Sequence, residues 1–161
     1  MTIAEYNKTV DDHADGLYRF ILKNIGDSEN ARDIVQDSFE KLWTRISSVD
    51  SGKAKSYLFT TAFHTMIDMI RKNKRTCDLD IEKVEPQLRT ETYTGLSEIL
   101  EEAVGKLPVD QRTVVLLRDY EGYRYDEIAQ ITGLSESQVK VYIFRARMFL
   151  KNYIGSIETL I

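Results

Sequence analysis

The stretch from Leu107 to Tyr153 decides the fold: LPVDQRTVVLLRDYEGYRYDEIAQITGLSESQVKVYIFRARMFLKNY. Residues 125–132 carry apolar side chains at the spacing of a short amphipathic helix, and Gly133 follows, where a helix can end in the left-handed conformation. Ser135 and Gln138, three residues later, form a capping box that predicts a second helix running to about Tyr153. A short helix, a glycine turn and a longer helix predict a helix-turn-helix unit, which lays its second helix in the DNA major groove.

The predicted second helix has an apolar stripe and a basic face. At about 100° per residue, one stripe collects Val139, Ile143, Ala146 and Leu150. From Ser135 to Lys151 the only acid is Glu136, and the bases are Lys140, Arg145, Arg147 and Lys151. Cations near a helix C-terminus also complement its dipole, which would explain Lys151 and Arg147 but not Lys140, near the N-terminus. The pattern therefore favours phosphate binding.

Composition limits what the rest of the 161-residue chain can be. Two prolines, eight glycines and weak strand-like alternation predict an all-α protein. Cys77 is the only cysteine, which excludes an intramolecular disulfide and a cysteine metal cluster, and we expect neither cofactor nor metal. We find no signal peptide and no membrane-spanning run, so we expect a cytoplasmic protein without direct membrane insertion. A formal net charge of −4 suits a protein that needs a partner to bind DNA.

Two helices are predicted at the N-terminus, from about Thr2 to Ile25 and from about Glu29 to Ile46. The second should bury Ala31, Val35, Phe39, Leu42 and Ile46. Its opposite face is polar, with Trp43 at the boundary, and consists of Asp33, Gln36, Asp37, Glu40 and Lys41. Both a solvated surface and a protein-docking face fit this pattern equally well.

A third helix is predicted from about Lys53 to Lys74, with an unusual polar half. Hydroxyls, an aromatic ring and a histidine replace the common Glu/Lys mixture at Tyr57, Thr60, Thr61, His64, Asp68 and Arg71. Such groups hydrogen-bond base edges and stack on unpaired bases. His64 and Asp68 could instead form a catalytic dyad or half a metal site, but no third group stands near them in sequence.

Residues 76–93 lose the helical periodicity and carry five acids against two bases. We predict an extended acidic linker between two small helical domains, residues 1–75 and 94–161, in preference to a surface loop of one domain. Further helices are predicted from about Gly95 to Lys106 and from Pro108 to about Glu121.

In this order the segments resemble RNA polymerase sigma factors of the extracytoplasmic-function (ECF) type. ARDIVQDSFEKLW (residues 31–43) is similar to region 2.2, and YLFTTAFHTMIDMIRKNKR (57–75) to regions 2.3 and 2.4. The stretch from Leu107 to Arg147 resembles region 4. The resemblance implies a promoter-recognition subunit without enzymatic activity, which directs core polymerase to promoters and helps to melt the −10 element.

The resemblance also implies a role for each polar surface. Contact with the polymerase β′ coiled coil would fall to Asp33, Gln36, Asp37, Phe39 and Trp43. The −10 element would be bound as single strand by Tyr57, Thr60, Thr61, His64, Asp68 and Arg71. The −35 duplex would be bound by Arg118, Tyr125, Asp126, Ser137, Gln138, Lys140, Phe144 and Arg145. The polymerase β flap and an anti-sigma factor, soluble or membrane-bound, are the other implied partners.

Two departures from the family pattern affect promoter choice. The chain has Val141-Tyr142 where the family often has Ser-Arg, and His64 where it often has Asn. Two other functions fit parts of the sequence: a stand-alone helix-turn-helix regulator with an N-terminal sensing or dimerisation domain, and an enzyme that uses His64 and Asp68. The regulator would not need the polar half of the third helix, and the enzyme would need more convergent groups than the sequence offers.

Overall fold

The structure, a computed structural model, describes residues 1–77 and 95–158. The chain divides into two compact units, Met1–Glu91 and Thr92–Ile161. The described part of each unit is helical and contains no strand, as the sequence predicts. The acidic segment predicted as a linker lies almost entirely outside the described residues.

The first unit packs three helices, α1 (Ile3–Ile25), α2 (Ser28–Thr44) and α3 (Ala54–Cys77), against one another. A short 3₁₀ turn, Ser51–Lys53, precedes α3. The Phe20 and Phe59 rings meet in the core with their centroids 5.5 Å apart. The fully buried side chains around them include Leu17, Ile21, Leu42, Leu58 and Met66. Burial of such apolar side chains is the main stabilising contribution in a unit of this size.

The buried stripe of α2 differs from the predicted one. Ile34 and Ser38 are buried, whereas the predicted core residues Val35 and Ile46 are only half-buried. Ser38 is buried because its hydroxyl donates a 2.7 Å hydrogen bond to the Ile34 carbonyl and leaves no unpaired donor. A sequence pattern built on apolar residues alone could not include a serine in the core.

The start of α2 follows its capping residue, whereas two helix ends differ from the predicted ones. Asp27 caps α2 by accepting hydrogen bonds from the Glu29 and Asn30 amides. The helix ends at Thr44, two residues before the predicted end, and α3 continues three residues beyond Lys74. Differences of this size are common at helix ends, which fray.

The second unit contains α4 (Leu96–Lys106), α5 (Val109–Val115), α6 (Tyr125–Thr132) and α7 (Glu136–Glu158). Helix α7 packs against the other three helices of the unit. The buried side chains come from all four helices and from the segment after α5, and include Ala103, Val114, Leu116, Leu117, Ile128, Ile131, Val139, Ile143 and Ala146. Leu150 packs, partly buried, against this core, so the predicted apolar stripe of α7 faces inward.

Helix α5 is followed by a π turn over Leu116–Tyr120, where the sequence predicts one uninterrupted helix. The Glu121 amide donates to the Leu116 carbonyl at 3.2 Å, five residues back instead of four. The extra residue per turn changes the direction in which Arg118 and Asp119 leave the backbone. Both side chains contribute to the surface described below.

The helix-turn-helix has the predicted form. Gly133 ends α6 with φ 77°, in the left-handed region that a residue with a side chain adopts at a cost. The Ser135 hydroxyl accepts from the Gln138 amide at 3.1 Å, and the Gln138 side-chain oxygen accepts from the Ser135 amide at 3.0 Å. Helix α7 runs to Glu158, beyond the predicted end at Tyr153.

No helix in residues 1–77 and 95–158 is long and apolar enough to cross a membrane.

Candidate nucleic-acid interface

The outward side of α7, here called the recognition face, carries exposed side chains from its first three turns. It consists of the predicted −35 residues Ser137, Lys140, Phe144 and Arg145. Phe144 is 64% exposed, which is unusual for a large apolar side chain on a soluble helix. Because Val139, Ile143 and Ala146 hold the opposite side in the core, this face is fixed outward.

Gln138 lies next to the recognition face and is exposed. Its side-chain oxygen accepts one hydrogen bond in the capping box with Ser135, which fixes the amide and leaves its NH₂ group available as a donor to a ligand. The predicted −35 residue therefore also holds the N-terminus of α7.

Two predicted −35 cations lie over the ring of a third predicted −35 residue, Tyr125, and the three come from different elements. The Arg118 guanidinium lies 4.6 Å from the centroid of the Tyr125 ring, and the Lys140 ammonium lies 5.6 Å from it. Arg118 also donates a 2.9 Å hydrogen bond to the Tyr123 carbonyl, which fixes its position. The π turn, the start of α6 and the start of α7 thus join in one basic cluster, although these residues are up to 22 positions apart in sequence.

Arg147 is held in an ion pair that the sequence did not indicate. Its Nη2 lies 2.6 Å from Asp119 Oδ1, and its Nε lies 3.2 Å from Asp119 Oδ2. This bidentate pair joins α7 to the π turn, and its hydrogen bonding raises the pKa of Arg147. Asp119 is 28 positions before Arg147, and no local spacing pattern links them. Of the four basic residues counted on α7, Arg147 is therefore the one with an ion pair among the described residues.

Asp126, at the start of α6, faces a cation of its own chain. Its carboxylate lies 3.3 Å from Arg124 Nε, and Arg124 also pairs with Glu127 at 3.3 Å. Arg124 and Asp126 are exposed and Glu127 is half-buried, so these surface pairs rearrange at little cost. Asp126 therefore remains exposed at the start of α6.

The polar half of α3 is here called the α3 polar face and comprises the six predicted −10 residues, Tyr57, Thr60, Thr61, His64, Asp68 and Arg71. At 100° per residue they fall within roughly 100° of arc and extend over about 21 Å of helix. His64, Asp68 and Arg71 are exposed, whereas Tyr57, Thr60 and Thr61 are half-buried. Within the described ranges His64 and Asp68 share no hydrogen bond, and no group of three potential metal ligands occurs.

The polar side of α2 is here called the α2 docking face, after its predicted role. It consists of Asp33, Gln36, Asp37, Glu40 and Lys41, with Trp43 at its boundary, and several of these side chains contact one another. Lys41 lies 2.9 Å from Asp37, and the Gln36 amide reaches Glu40 at 3.5 Å. Asp33 is exposed, and it has no ion-pair partner in residues 1–77 or 95–158. It is the carboxylate on this face most available to a cation from outside the chain.

Trp43 and Phe39 differ in accessibility although both are predicted polymerase contacts. Trp43 is 48% exposed and receives the Tyr6 ring edge-on, with the centroids 5.0 Å apart. Phe39 is buried, and its carbonyl accepts a 3.0 Å hydrogen bond from the Tyr6 hydroxyl. Phe39 therefore supports this surface from the core, because its ring cannot reach a partner. Tyr6, which the sequence pattern did not single out, orients Trp43.

Comparison with known proteins covers both units. A model of Sigma-70 region 2 matches residues 9–76, and a model of Sigma-70 region 4 matches residues 97–150. The chain is 31% identical over 144 residues to RNA polymerase sigma factor YlaC of Bacillus subtilis, covering 84% of this chain and 83% of that protein. It is 29% identical over 140 residues to the ECF RNA polymerase sigma factor SigM of the same organism, covering 84% and 86%.

A solved structure is also similar along almost the whole chain. It is the sigma factor RpoE in complex with the anti-sigma factor NepR from Bartonella quintana, with a TM-score of 0.83 and 25% identity over 95% of this chain and 98% of RpoE. The two family models, the curated relatives and the fold agree with the helix-turn-helix and the polar helices described above. The chain belongs to the sigma-70 family of RNA polymerase sigma factors, in its extracytoplasmic-function group.

Proposed function

We propose that this ECF sigma factor divides promoter recognition between its two units, with the recognition face on the −35 duplex and the α3 polar face on the melted −10 strand. The observation that carries the proposal is the basic cluster of Arg118, Tyr125 and Lys140 beside an outward-facing α7. A helix held by its inner face and rimmed by cations has the form that fits a major groove.

On the −35 element, Arg145 and Lys140 supply the positive charge that approaches the duplex. An arginine can donate two hydrogen bonds to a guanine edge, and a lysine can neutralise a phosphate. Stacking against Tyr125 limits the freedom of Arg118 and Lys140 before DNA arrives, so less side-chain entropy is lost on binding.

On the −10 element, the α3 polar face offers groups for unpaired bases. The threonine hydroxyls and His64 can donate to and accept from base edges, and Tyr57 can stack. Asp68 repels phosphates, and its place on such a face is explained if it accepts a hydrogen bond from a base amino group. Arg71, Lys72 and Lys74 are exposed near the end of the helix, where they can hold the backbone of the strand.

Core polymerase binds to the α2 docking face in this proposal. Trp43 provides a half-exposed aromatic anchor, and Asp33 provides a carboxylate that has no ion-pair partner among the described residues. Asp37 and Gln36 are engaged with Lys41 and Glu40 and can exchange these weak surface contacts for contacts with the β′ coiled coil. The β flap is the second proposed polymerase contact and would bind the second unit.

An anti-sigma factor, soluble or membrane-bound, is a further proposed partner. The similar RpoE structure contains an anti-sigma factor, and a chain with exposed polymerase-binding and DNA-binding faces can be inhibited by covering either. These functions require the polymerase, which implies a cytoplasmic location. They use no catalytic residue, cofactor or metal, and His64 and Asp68 serve as DNA contacts.

The test is in vitro transcription with purified core polymerase and a promoter library randomised over both elements. We expect the full-length chain to select a defined −35 and −10 pair and to bind its promoter tightly only together with core polymerase. Tight, specific duplex binding by the chain alone, with no response to core polymerase, would instead support a stand-alone regulator.

A further inference from the structure

An apolar ridge runs along the outward side of α7 and passes through the recognition face at Phe144. Val141, Phe144 and Met148 are 44%, 64% and 42% exposed. Spacings of three and four residues place them in one row along the helix. The outward side of a helix in a soluble unit is normally polar, because exposed apolar surface gains nothing from folding. The ridge therefore suits a ligand that covers it.

Cations flank this ridge on both sides. On a helical wheel Lys140 and Arg145 lie about 70° to either side of the line through Val141 and Phe144. Both are exposed. An apolar strip with a positive charge on each side matches a DNA major groove, where the two phosphate backbones form the rims and thymine methyl groups lie in the floor.

We propose that Val141 and Phe144 read thymines in the −35 element through the 5-methyl groups of those bases. This inference rests on the proposed function of α7 and adds a specificity determinant, Val141, that makes no hydrogen bond. A methyl group in the major groove distinguishes a T·A pair from the other base pairs, and contact with an apolar side chain removes both surfaces from water.

Only the first turns of α7 are assigned to the bases. Recognition helices contact base edges with their N-terminal residues, and Val141 lies in the second turn of α7. Met148 is seven residues further on, about 10 Å along the axis. It has the same exposed apolar chemistry on the same ridge and is therefore the matched control.

The experiment removes the methyl group without changing base pairing. The holoenzyme, assembled from core polymerase and the full-length chain, first selects its −35 sequence from a randomised library. Each −35 thymine is then replaced singly by deoxyuridine, and promoter binding is measured. We expect a loss of about 3–10-fold at one or two thymines, the scale expected for one methyl-sized apolar contact.

Substitutions connect that loss to the ridge. With Val141→Ser or Phe144→Ser, binding to the unmodified promoter should fall, and at least one deoxyuridine penalty should disappear. Met148→Ser should keep every penalty. Val141→Thr, which retains a methyl group and the branched shape, should keep part of the penalty at the Val141 position. Because these side chains are exposed, the variants should melt at the wild-type temperature, which serves as the folding control.

Three results would overturn the inference. Deoxyuridine could have no effect while base changes in the −35 element still abolish binding; the −35 role of α7 would then stand and methyl reading would fail. Met148→Ser could remove the penalties in place of Val141→Ser. The ridge variants could melt at the wild-type temperature yet fail to assemble with core polymerase, which would make the ridge a protein-docking surface. If scrambling the −35 element has no effect on the wild-type holoenzyme, the proposed function of α7 itself is wrong.

Discussion

The recognition face of α7 and the α3 polar face are both outward faces of long helices, yet their chemistry is opposite. The first combines cations with apolar side chains, and its largest side chain, Phe144, is 64% exposed. The second combines hydroxyls, an imidazole and a carboxylate, and its tyrosine and threonines are half-buried. Charge and protruding bulk suit the deep groove of a duplex, whereas recessed hydrogen-bonding groups suit bases that have left the stack.

The difference agrees with the proposed division of promoter recognition, in which each face binds a different form of DNA. On α7 the basic side chains, Lys140 and Arg145, lie within the face itself, so phosphates can be contacted on both sides of a groove. On α3 the exposed lysines and arginine lie towards the C-terminal end, after Asp68. The backbone of a single strand can be held at that end, while its nucleobases lie along the uncharged part of the helix.

The largest effect is expected when the cations of the recognition face are removed. Lys140→Ala with Arg145→Ala should weaken promoter binding about 100-fold, because a good base contact contributes about 1–3 kcal/mol and a phosphate contact is lost as well. Holoenzyme binding to matched and pre-melted templates measures this loss, which pre-melting of the −10 element should not repair. Lys151→Ala removes the same charge further along α7 and should change binding by less than about threefold. Normal binding by the double variant would remove the assignment of α7 to the −35 element.

The second largest effect is expected when core-polymerase binding is weakened, because both DNA-binding faces depend on it. Trp43→Ala should weaken binding to core polymerase by about 2 kcal/mol, roughly 30-fold, because half-exposed tryptophans are frequent anchors of interfaces. Both DNA functions should then fail together, on matched and pre-melted templates alike. A competition assay with wild-type chain measures the affinity, and Trp43→Phe, which retains an aromatic ring beside Tyr6, should restore most of it. If Trp43→Ala binds core polymerase normally, the α2 docking face is a solvated surface.

A smaller effect isolates the α3 polar face. His64→Ala and Asp68→Ala should retain polymerase and −35 binding but form about tenfold less open complex, since about 1–3 kcal/mol per base is lost with such contacts. Permanganate footprinting on matched and pre-melted promoters measures opening, and pre-melting should restore part of it. Asn73→Ala, on the other side of α3, is the matched control. Normal opening by both variants would show that this face does not contact the melted strand.

The smallest effect concerns the support of the recognition face. Asp119→Ala or Arg147→Ala should destabilise the second unit by up to about 1 kcal/mol, because the pair is bidentate but partly exposed. Thermal melting of the two single variants and the double variant gives the coupling free energy. The exposed pair of Lys106 and Glu102, 3.9 Å apart, should show less coupling. Equal coupling in the two pairs would mean that the Asp119–Arg147 bridge does not anchor α7.

Local signals in the sequence predicted the elements whose boundaries depend on neighbouring residues. Helix α6 spans the predicted residues, and it ends at Thr132 because Gly133 supplies a left-handed stop. Helix α7 begins where the reciprocal bonds of Ser135 and Gln138 require. The predicted inward stripe of α7 is confirmed by the burial of Val139, Ile143 and Ala146.

Features that depend on distant residues were not predictable in this way. The Asp119–Arg147 bridge joins positions 28 apart, and the π turn that orients Asp119 leaves no mark in hydrophobic spacing. A local contact can also be missed: Ser38 enters the core through a hydrogen bond to its own helix, which hydropathy cannot register. The contact of Tyr6 with Trp43 depends on the packing of α1 against α2, which the pattern of either helix alone does not specify.

The Asp119–Arg147 bridge also affects how many ions DNA binding releases. Each phosphate neutralised by a lysine or arginine frees condensed counterions, and log K then falls against log salt with a slope of about −0.9 per contact. Arg147 already has a carboxylate partner 2.6 Å away, so it should release none. The salt slope of promoter binding should therefore become less steep when a phosphate-contacting Lys140 or Arg145 is removed. Removal of Arg147 should leave the slope unchanged. Ion counting can thus distinguish cations that hold the helix from cations that hold the DNA.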